Sequence, residues 1–241
     1  MDLTYDFLDL LPQIDEKPEL AKKAAELVLS APKSPESDGL LAYMYHQGIG
    51  VEVDLDKAFD FAERGAQGND GTALYLLGHM CDNAETPDQA EGGPRQKYDQ
   101  YDAESFMERC ARTESPWAEA AHLWLGDFFL DMARGGDPDV AIEHYEAIGH
   151  VNSDAAGMLS DIYWDEYAYK PDAASKAYEW TLEAVRLNPH DYSYRMGCIC
   201  ADGIGCPPSL RLARKYFEDA YCFGHPDAQK ALDKLLNHPP Q

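Results

Sequence analysis

The sequence predicts an all-α chain, a solenoid of about five helix pairs closed by a short helix at each end. Three observations carry this. Leu41-Ala42-Tyr43-Met44-Tyr45-His46-Gln47-Gly48-Ile49-Gly50-Val51 reads as a helix ended by glycines, and Asp54-Leu55-Asp56-Lys57-Ala58-Phe59 as a second helix opening on an aspartate. Much of this stretch recurs as Met196-Gly197-Cys198-Ile199-Cys200-Ala201-Asp202-Gly203-Ile204-Gly205-Cys206, followed by Ala213-Arg214-Lys215-Tyr216. Between the two, a weaker form of the pattern returns at a near-constant period, which marks an array of stacked supersecondary units.

A large apolar residue followed by a small one marks the first helix of each copy: Leu41-Ala42, Leu77-Gly78, Leu125-Gly126, Leu159-Ser160 and Met196-Gly197. Four residues after each apolar anchor stands Tyr45, Cys81, Phe129, Tyr163 or Cys200. The second helix carries a small residue, a ring three later, and a third anchor four after that. These are Ala58/Phe61/Gly65, Ala103/Phe106/Cys110, Ala141/His144/Ile148, Ala177/Trp180/Ala184 and Ala213/Tyr216/Ala220, spaced 45, 38, 36 and 36 residues apart. Small residues belong where two helix backbones approach, and large ones fill the gap.

The pattern Ala-x3-Leu-Gly-x2-Tyr-x2-Gly-x-Gly-Val, then Asp-x2-Lys-Ala-x2-Trp-x3-Ala-Ala, resembles that of Sel1-like repeats, relatives of the tetratricopeptide repeat. Residues 40–68 and 192–228 look most like it, and residues 69–190 match in diverged form. Ala42 and Ser160 stand in place of the anchor glycine, Cys81 and Cys200 in place of the tyrosine, and only the first and last copies keep Gly-x-Gly. The resemblance implies a right-handed α/α solenoid and a scaffold or adaptor role in protein complexes, with bacterial members common.

Along the chain, residues 1–36 form an N-terminal lead and capping helix. Leu3, Phe7, Leu8 and Leu11 suggest a turn or two of helix, and Pro18 opens a helix through Leu29. Pro32, Pro35 and Gly39 mark the loop before the array, which spans 37–225. Gly48-Ile49-Gly50 follows a helix and lacks the third glycine and the lysine of a nucleotide loop, so it reads as a helix stop. The second copy carries a polar, Gly- and Pro-rich insertion at 84–98, either decoration or a contact element. Asp137-Pro138 starts the second helix of the third copy, Lys170-Pro171-Asp172 turns within the fourth, and Asn188-Pro189 stops it. Residues 226–241 are a capping helix around Ala228, Ala231, Leu232, Leu235 and Leu236, with a frayed tail.

Composition narrows the function classes. The 45% apolar content is that of a folded chain, while 44 acidic against 20 basic residues leave a formal charge of −24. Such a field disfavours nucleic acid and anionic membrane and draws basic partners, though acidity also serves solubility alone. No signal-like start and no membrane-length apolar run are seen, so a cytoplasmic setting is expected. Of six cysteines, Cys81, Cys110, Cys200 and Cys206 fall at repeat positions held elsewhere by Tyr, Ala or Val, which favours small buried fillers over a disulfide or metal site. No elbow serine, no His-Glu-x2-His and no Cys–His pairing stands out. His144 sits at a ring position of the core. The sequence therefore suggests no enzyme, no cofactor and no metal.

Binding is the better prospect. If Leu-Gly and the ring four later face the partner helix, positions two before the Leu, two after it and five or six after it lie opposite. In arrays of this resemblance that face lines the concave groove. It comprises Tyr43, His46 and Gln47, then Tyr75, His79 and Asp82, then Leu123, Asp127, Leu130 and Asp131. The fourth copy adds Asp161, Trp164 and Asp165, and the fifth Tyr194, Cys198 and Asp202. Aspartates between aromatic platforms suit a basic protein or peptide. The expected function is non-enzymatic scaffolding of such a partner. Two alternatives stand beside it: a cytoplasmic immunity protein masking a basic toxin, and a metal-binding protein or enzyme using the Asp and Cys clusters. The oligomeric state is not fixed by sequence.

Overall fold

A computed structural model of the chain describes residues 3–14, 17–83, 85, 100–131, 136–166 and 171–237. The 84–98 insertion, apart from Glu85, and the 238–241 tail lie outside the described residues. Among the described residues every regular element is helical. The chain divides into two compact units, residues 1–125 and 126–241.

The first unit holds α1 (Leu3–Leu8), α2 (Glu19–Ser30), α3 (Pro35–Gln47), α4 (Leu55–Gln67), α5 (Gly71–Asp82) and α6 (Gln100–Ala111). Helix α7 (Ala118–Leu130) begins in it and ends in the second unit. The N-terminal lead is helical, as expected, with one 3-10 turn at Leu11–Gln13. It buries Phe7 completely among Ala24, Ala25, Val28, Leu40 and Met44, closing the outer side of α3. Leu41 takes part in this contact and is half-buried, unlike Leu77, Leu125, Leu159 and Met196, its counterparts in later copies, which are buried.

The second unit holds α8 (Pro138–Ile148), α9 (Ser153–Asp161), α10 (Ala173–Leu187), α11 (Pro189–Asp202), α12 (Leu210–Cys222) and α13 (Ala228–Asn237). Asn188 ends α10, its N–H bonding to Ala184 O, and caps α11, its side chain accepting from Asp191 N. One residue therefore joins two copies.

The repeat register is realised. Ala58, Ala103, Ala141, Ala177 and Ala213 are all fully buried. Two of the three first-helix rings stack on the ring of the second helix, Tyr45 on Phe61 with centroids 5.7 Å apart and Phe129 on His144 at 5.9 Å, while the Tyr163 hydroxyl accepts from Lys176 Nζ of α10. The small anchors have a counterpart the sequence reading did not single out, four residues after the buried alanine. A Cβ added to Gly78 would meet Met107, one on Gly126 would meet Tyr145, and one on Gly197 would meet Phe217 at 2.5 Å. Full burial of a side chain of that size is worth about 1.5–3 kcal/mol, so the small anchor exchanges its own side chain for its neighbour's.

The helix-ending glycines are left-handed in both outer copies. Gly48 and Gly203 each have φ +72°, and Gly50 and Gly205 have φ +68° and +67°. The carbonyls left open at the helix ends are filled alike: Ile49 N to Met44 O at 3.0 Å and Ile204 N to Ile199 O at 3.1 Å. The chain then returns, Asp54 N bonding to Tyr45 O and Ser209 N to Cys200 O, before Asp54 and Ser209 cap α4 and α12. These glycines make a turn, as expected.

One departure concerns α9. The face assignment runs at about 100° per residue through Asp165. The α-helix ends at Asp161, however, and Ile162–Glu166 continue as a wider π-turn. Trp164 and Asp165 are thereby rotated from the positions that α-helical phasing gives them. Among the described residues no helix is long and apolar enough to cross a membrane.

Candidate functional site

In the first unit the expected face is a chain of touching rings. Phe7 meets Tyr43 edge-on with centroids 6.2 Å apart, Tyr43 meets Trp117 at 5.2 Å, and Trp117 stacks on Tyr75 at 4.9 Å. Tyr75 in turn meets His79 at 6.1 Å. Tyr43 and Tyr75 are half-buried, and burial raises both phenol pKa values. Trp117 joins rings from α3 and α5, a role that helical spacing does not reveal. It precedes α7 by one residue, so helical phasing gave it no face. The sequence signal available was an aromatic following Ser115-Pro116 directly before a repeat.

Polar residues border the rings. His46 Nε2 lies 2.8 Å from Glu85 Oε2, and Gln47 Nε2 donates to His46 Nδ1 at 2.9 Å. With Nδ1 accepting, Nε2 carries the proton given to Glu85. Asn83 donates to His79 Nδ1 at 2.8 Å. Trp124 Nε1 donates to Asp82 at 3.2 Å, so Asp82 is held within the face; Leu123 beside it is half-buried. Of the seven predicted residues in this unit, Tyr43, Tyr75 and His79 share one stack, while His46, Gln47 and Asp82 are fixed by neighbours.

In the second unit the predicted aspartates divide into held and solvated ones. Asp127 accepts from the Tyr145 hydroxyl at 2.6 Å. The Tyr145 ring is fully buried, and burial, followed by the hydrogen bond to Asp127 and then its charge, raises its pKa. Asp161 forms an ion pair with Arg195, whose guanidinium also reaches Ser160 Oγ at 3.3 Å and lies 6.0 Å from the Trp164 ring centre. Arg195, half-buried with its pKa lowered by burial, was not foreseen. It occupies a place the sequence reading left to a partner's cation. Leu130 and Asp131 are half-buried at the end of α7, whereas Asp165 and Asp202 are exposed.

Tyr194 stacks on His225 with centroids 4.0 Å apart and packs against Phe217. Tyr194, Cys198 and Asp202 line a cleft of about 530 Å³ with Phe217, Lys230 and Lys234. The cleft is mixed in charge. Among the described residues no group of three or more His, Cys, Asp or Glu is arranged to hold a metal ion.

With this geometry in view, comparison with known proteins is informative. The model of the Sel1 repeat family matches residues 36–70, 153–189 and 191–225, which are the first, fourth and fifth copies. No curated protein matches the chain. The fold is similar to the crystal structure of a Sel1 repeat protein from Oxalobacter formigenes, with TM-score 0.67 and 17% identity over 98% of this chain and 88% of that one. It is also similar to c5321, described as a protective antigen present in uropathogenic Escherichia coli strains and displaying an SLR fold. There the TM-score is 0.63 and the identity 19%, over 90% of this chain and 43% of that one. At these identities the likeness is one of fold.

Proposed function

We propose that this chain, which carries Sel1 repeats at residues 36–70, 153–189 and 191–225, is a protein-interaction scaffold that captures a basic protein or peptide on the ring-lined face of its first unit. The observation that carries this reading is the Tyr43, Trp117, Tyr75 sequence of half-buried rings, backed by the buried Phe7 and bordered by Asp82 and Glu85. Half-buried aromatic rings are pre-ordered contact area, since little rotamer freedom remains to be lost on binding. Arginine and lysine side chains stack on such rings, and carboxylates at the border complete their hydrogen bonding.

Charge distribution supports the same partner. After residue 189 the chain has six basic and six acidic residues, so its whole excess of negative charge lies before that point. A basic partner is steered toward the acidic part of the chain, at a rate that falls as salt rises.

The test is affinity capture on the immobilised chain across a salt gradient, repeated with Tyr75→Ala and Trp117→Ala. A basic protein held at low salt, shed at high salt and lost with both variants is the expected result. A partner insensitive to salt, or retained unchanged by variants that keep their helicity, would refute the reading.

A further inference from the structure

The last Gly-x-Gly turn brings two cysteines to one hydrophobic cluster. Cys200 ends the buried side of α11, at 2% exposure, and Cys206 stands half-buried just past Gly205. Cys206 packs against the buried cluster of Met196, Ile199, Cys200, Ala213 and Phe217, so both sulfurs belong to one apolar cluster. The backbone around them is that of the first copy: paired left-handed glycines, the same closing bonds, and the return of Ser209 N to Cys200 O where Asp54 N returns to Tyr45 O. In that frame Cys200 occupies the place of Tyr45 and Cys206 the place of Val51.

A single cysteine at either place would be a small filler. Filling alone does not account for two positions of one cluster, on either side of one tight turn, both holding thiols where the same turn elsewhere holds a tyrosine and a valine. From this juxtaposition we infer that Cys200 and Cys206 form a redox-responsive dithiol, which a hydroperoxide converts to a disulfide that clamps the turn between α11 and α12.

The Cys206 thiolate, the more accessible sulfur, attacks one peroxide oxygen. The O–O bond breaks, and the leaving oxygen takes a proton to depart as alcohol, or as water from hydrogen peroxide. Cys206 is left as a sulfenic acid. The Cys200 sulfur then displaces the sulfenic oxygen, the S–S bond forms, and water leaves with the Cys200 proton. Two thiols are oxidised by two electrons and the peroxide is reduced by two. Burial raises the Cys200 pKa to about 11, which keeps it a thiol and leaves the first step to Cys206; its own step is intramolecular, on a sulfenic acid formed within the same cluster.

The experiment treats the folded full-length chain with hydrogen peroxide, removes the excess, then unfolds and alkylates it. Cys198, Cys200 and Cys206 fall in one tryptic peptide, Met196–Arg211. The expected product is that peptide lighter by two hydrogens, alkylated at Cys198 but not at Cys200 or Cys206, and returned to three alkylations by prior reduction. Cys206→Ser, at a half-exposed site, is expected to abolish it while leaving the melting temperature of the reduced protein unchanged. Full alkylation of all six cysteines after treatment, or a link through Cys198 or Cys222, overturns the inference.

Discussion

Ser160 Oγ and Thr181 Oγ1 lie 2.6 Å apart with both residues fully buried, at the one contact where the repeat's small anchor is a hydroxyl residue. Thr181 donates to Ala177 O at 2.7 Å, and Arg195 donates to Ser160 Oγ. The Ser160 hydroxyl proton therefore points to Thr181, and the donors run in one direction, from Arg195 through Ser160 and Thr181 to the backbone. In the other copies the same gap is closed by apolar atoms. Here the helices are joined by a hydrogen bond in its place.

That arrangement predicts strong coupling. Thr181→Val leaves the buried Ser160 proton without an acceptor and Ser160→Ala removes the hydrogen bond that Thr181 accepts, and each is expected to cost about 1–3 kcal/mol in denaturant unfolding. The double variant is expected to cost less than the sum of the two. Additive losses would mean the pair is not coupled.

A second prediction concerns a small anchor that is glycine. A Cβ at residue 197 falls 2.5 Å from the Phe217 ring, which is itself buried. Gly197→Ala is expected to lower stability by about 1–3 kcal/mol, read as a lower melting temperature. Pairing it with Phe217→Leu should recover part of the loss, because the smaller side chain makes room for the methyl group.

Asp70 supplies a pH dependence. It caps α5, accepting from Ala73 N at 2.8 Å, yet burial raises its pKa to about 6, with the Glu36 charge adding to the shift. A carboxyl with a folded pKa above its unfolded value holds its proton more tightly in the folded state. Its contribution to stability is full below the unfolded pKa, near 4, and is lost as pH rises through about 6. Asp70→Asn keeps a cap acceptor and removes the titration. The variant is expected to gain about 1–3 kcal/mol over the parent at pH 7 and to match it near pH 4. An equal difference at both pH values would rule out Asp70 as the source.

The aspartates of the second unit are expected to respond differently to charge reversal. Asp161→Lys places a cation against Arg195 and should cost roughly 1–2 kcal/mol, a figure reduced by the partial exposure of both groups. Asp165→Lys and Asp202→Lys alter exposed positions and should leave melting within about 0.5 kcal/mol. Thermal unfolding of the three variants side by side separates acids that hold the fold from acids open to solvent.

Legibility in the sequence followed physical necessity. The five alanines and the paired glycines could be read because backbone approach and positive φ admit few residue types, so the same types recur. Their counterparts Met107, Tyr145, Thr181 and Phe217 could not, since the only requirement there is to fill a space that differs from copy to copy. The rings of Tyr43 and Tyr75 were legible from helical spacing, whereas Trp117 lies outside a helix and Arg195 meets Asp161 across copies. The π-turn at Ile162–Glu166 was equally hidden, because local spacing carries no sign of a change in helical pitch.

Asn188, closing α10 and opening α11 without any linker, sets a rule of phase for this part of the chain. Adding one residue at that joint would turn α11 by about 100° about its axis relative to α10 and carry Tyr192 and Arg195 off their contacts with Gly157 and Asp161 in α9. Drift in chain length is therefore forbidden at this joint. Growth or loss there has to come in whole copies, as a gear train accepts another wheel but never a fraction of a tooth.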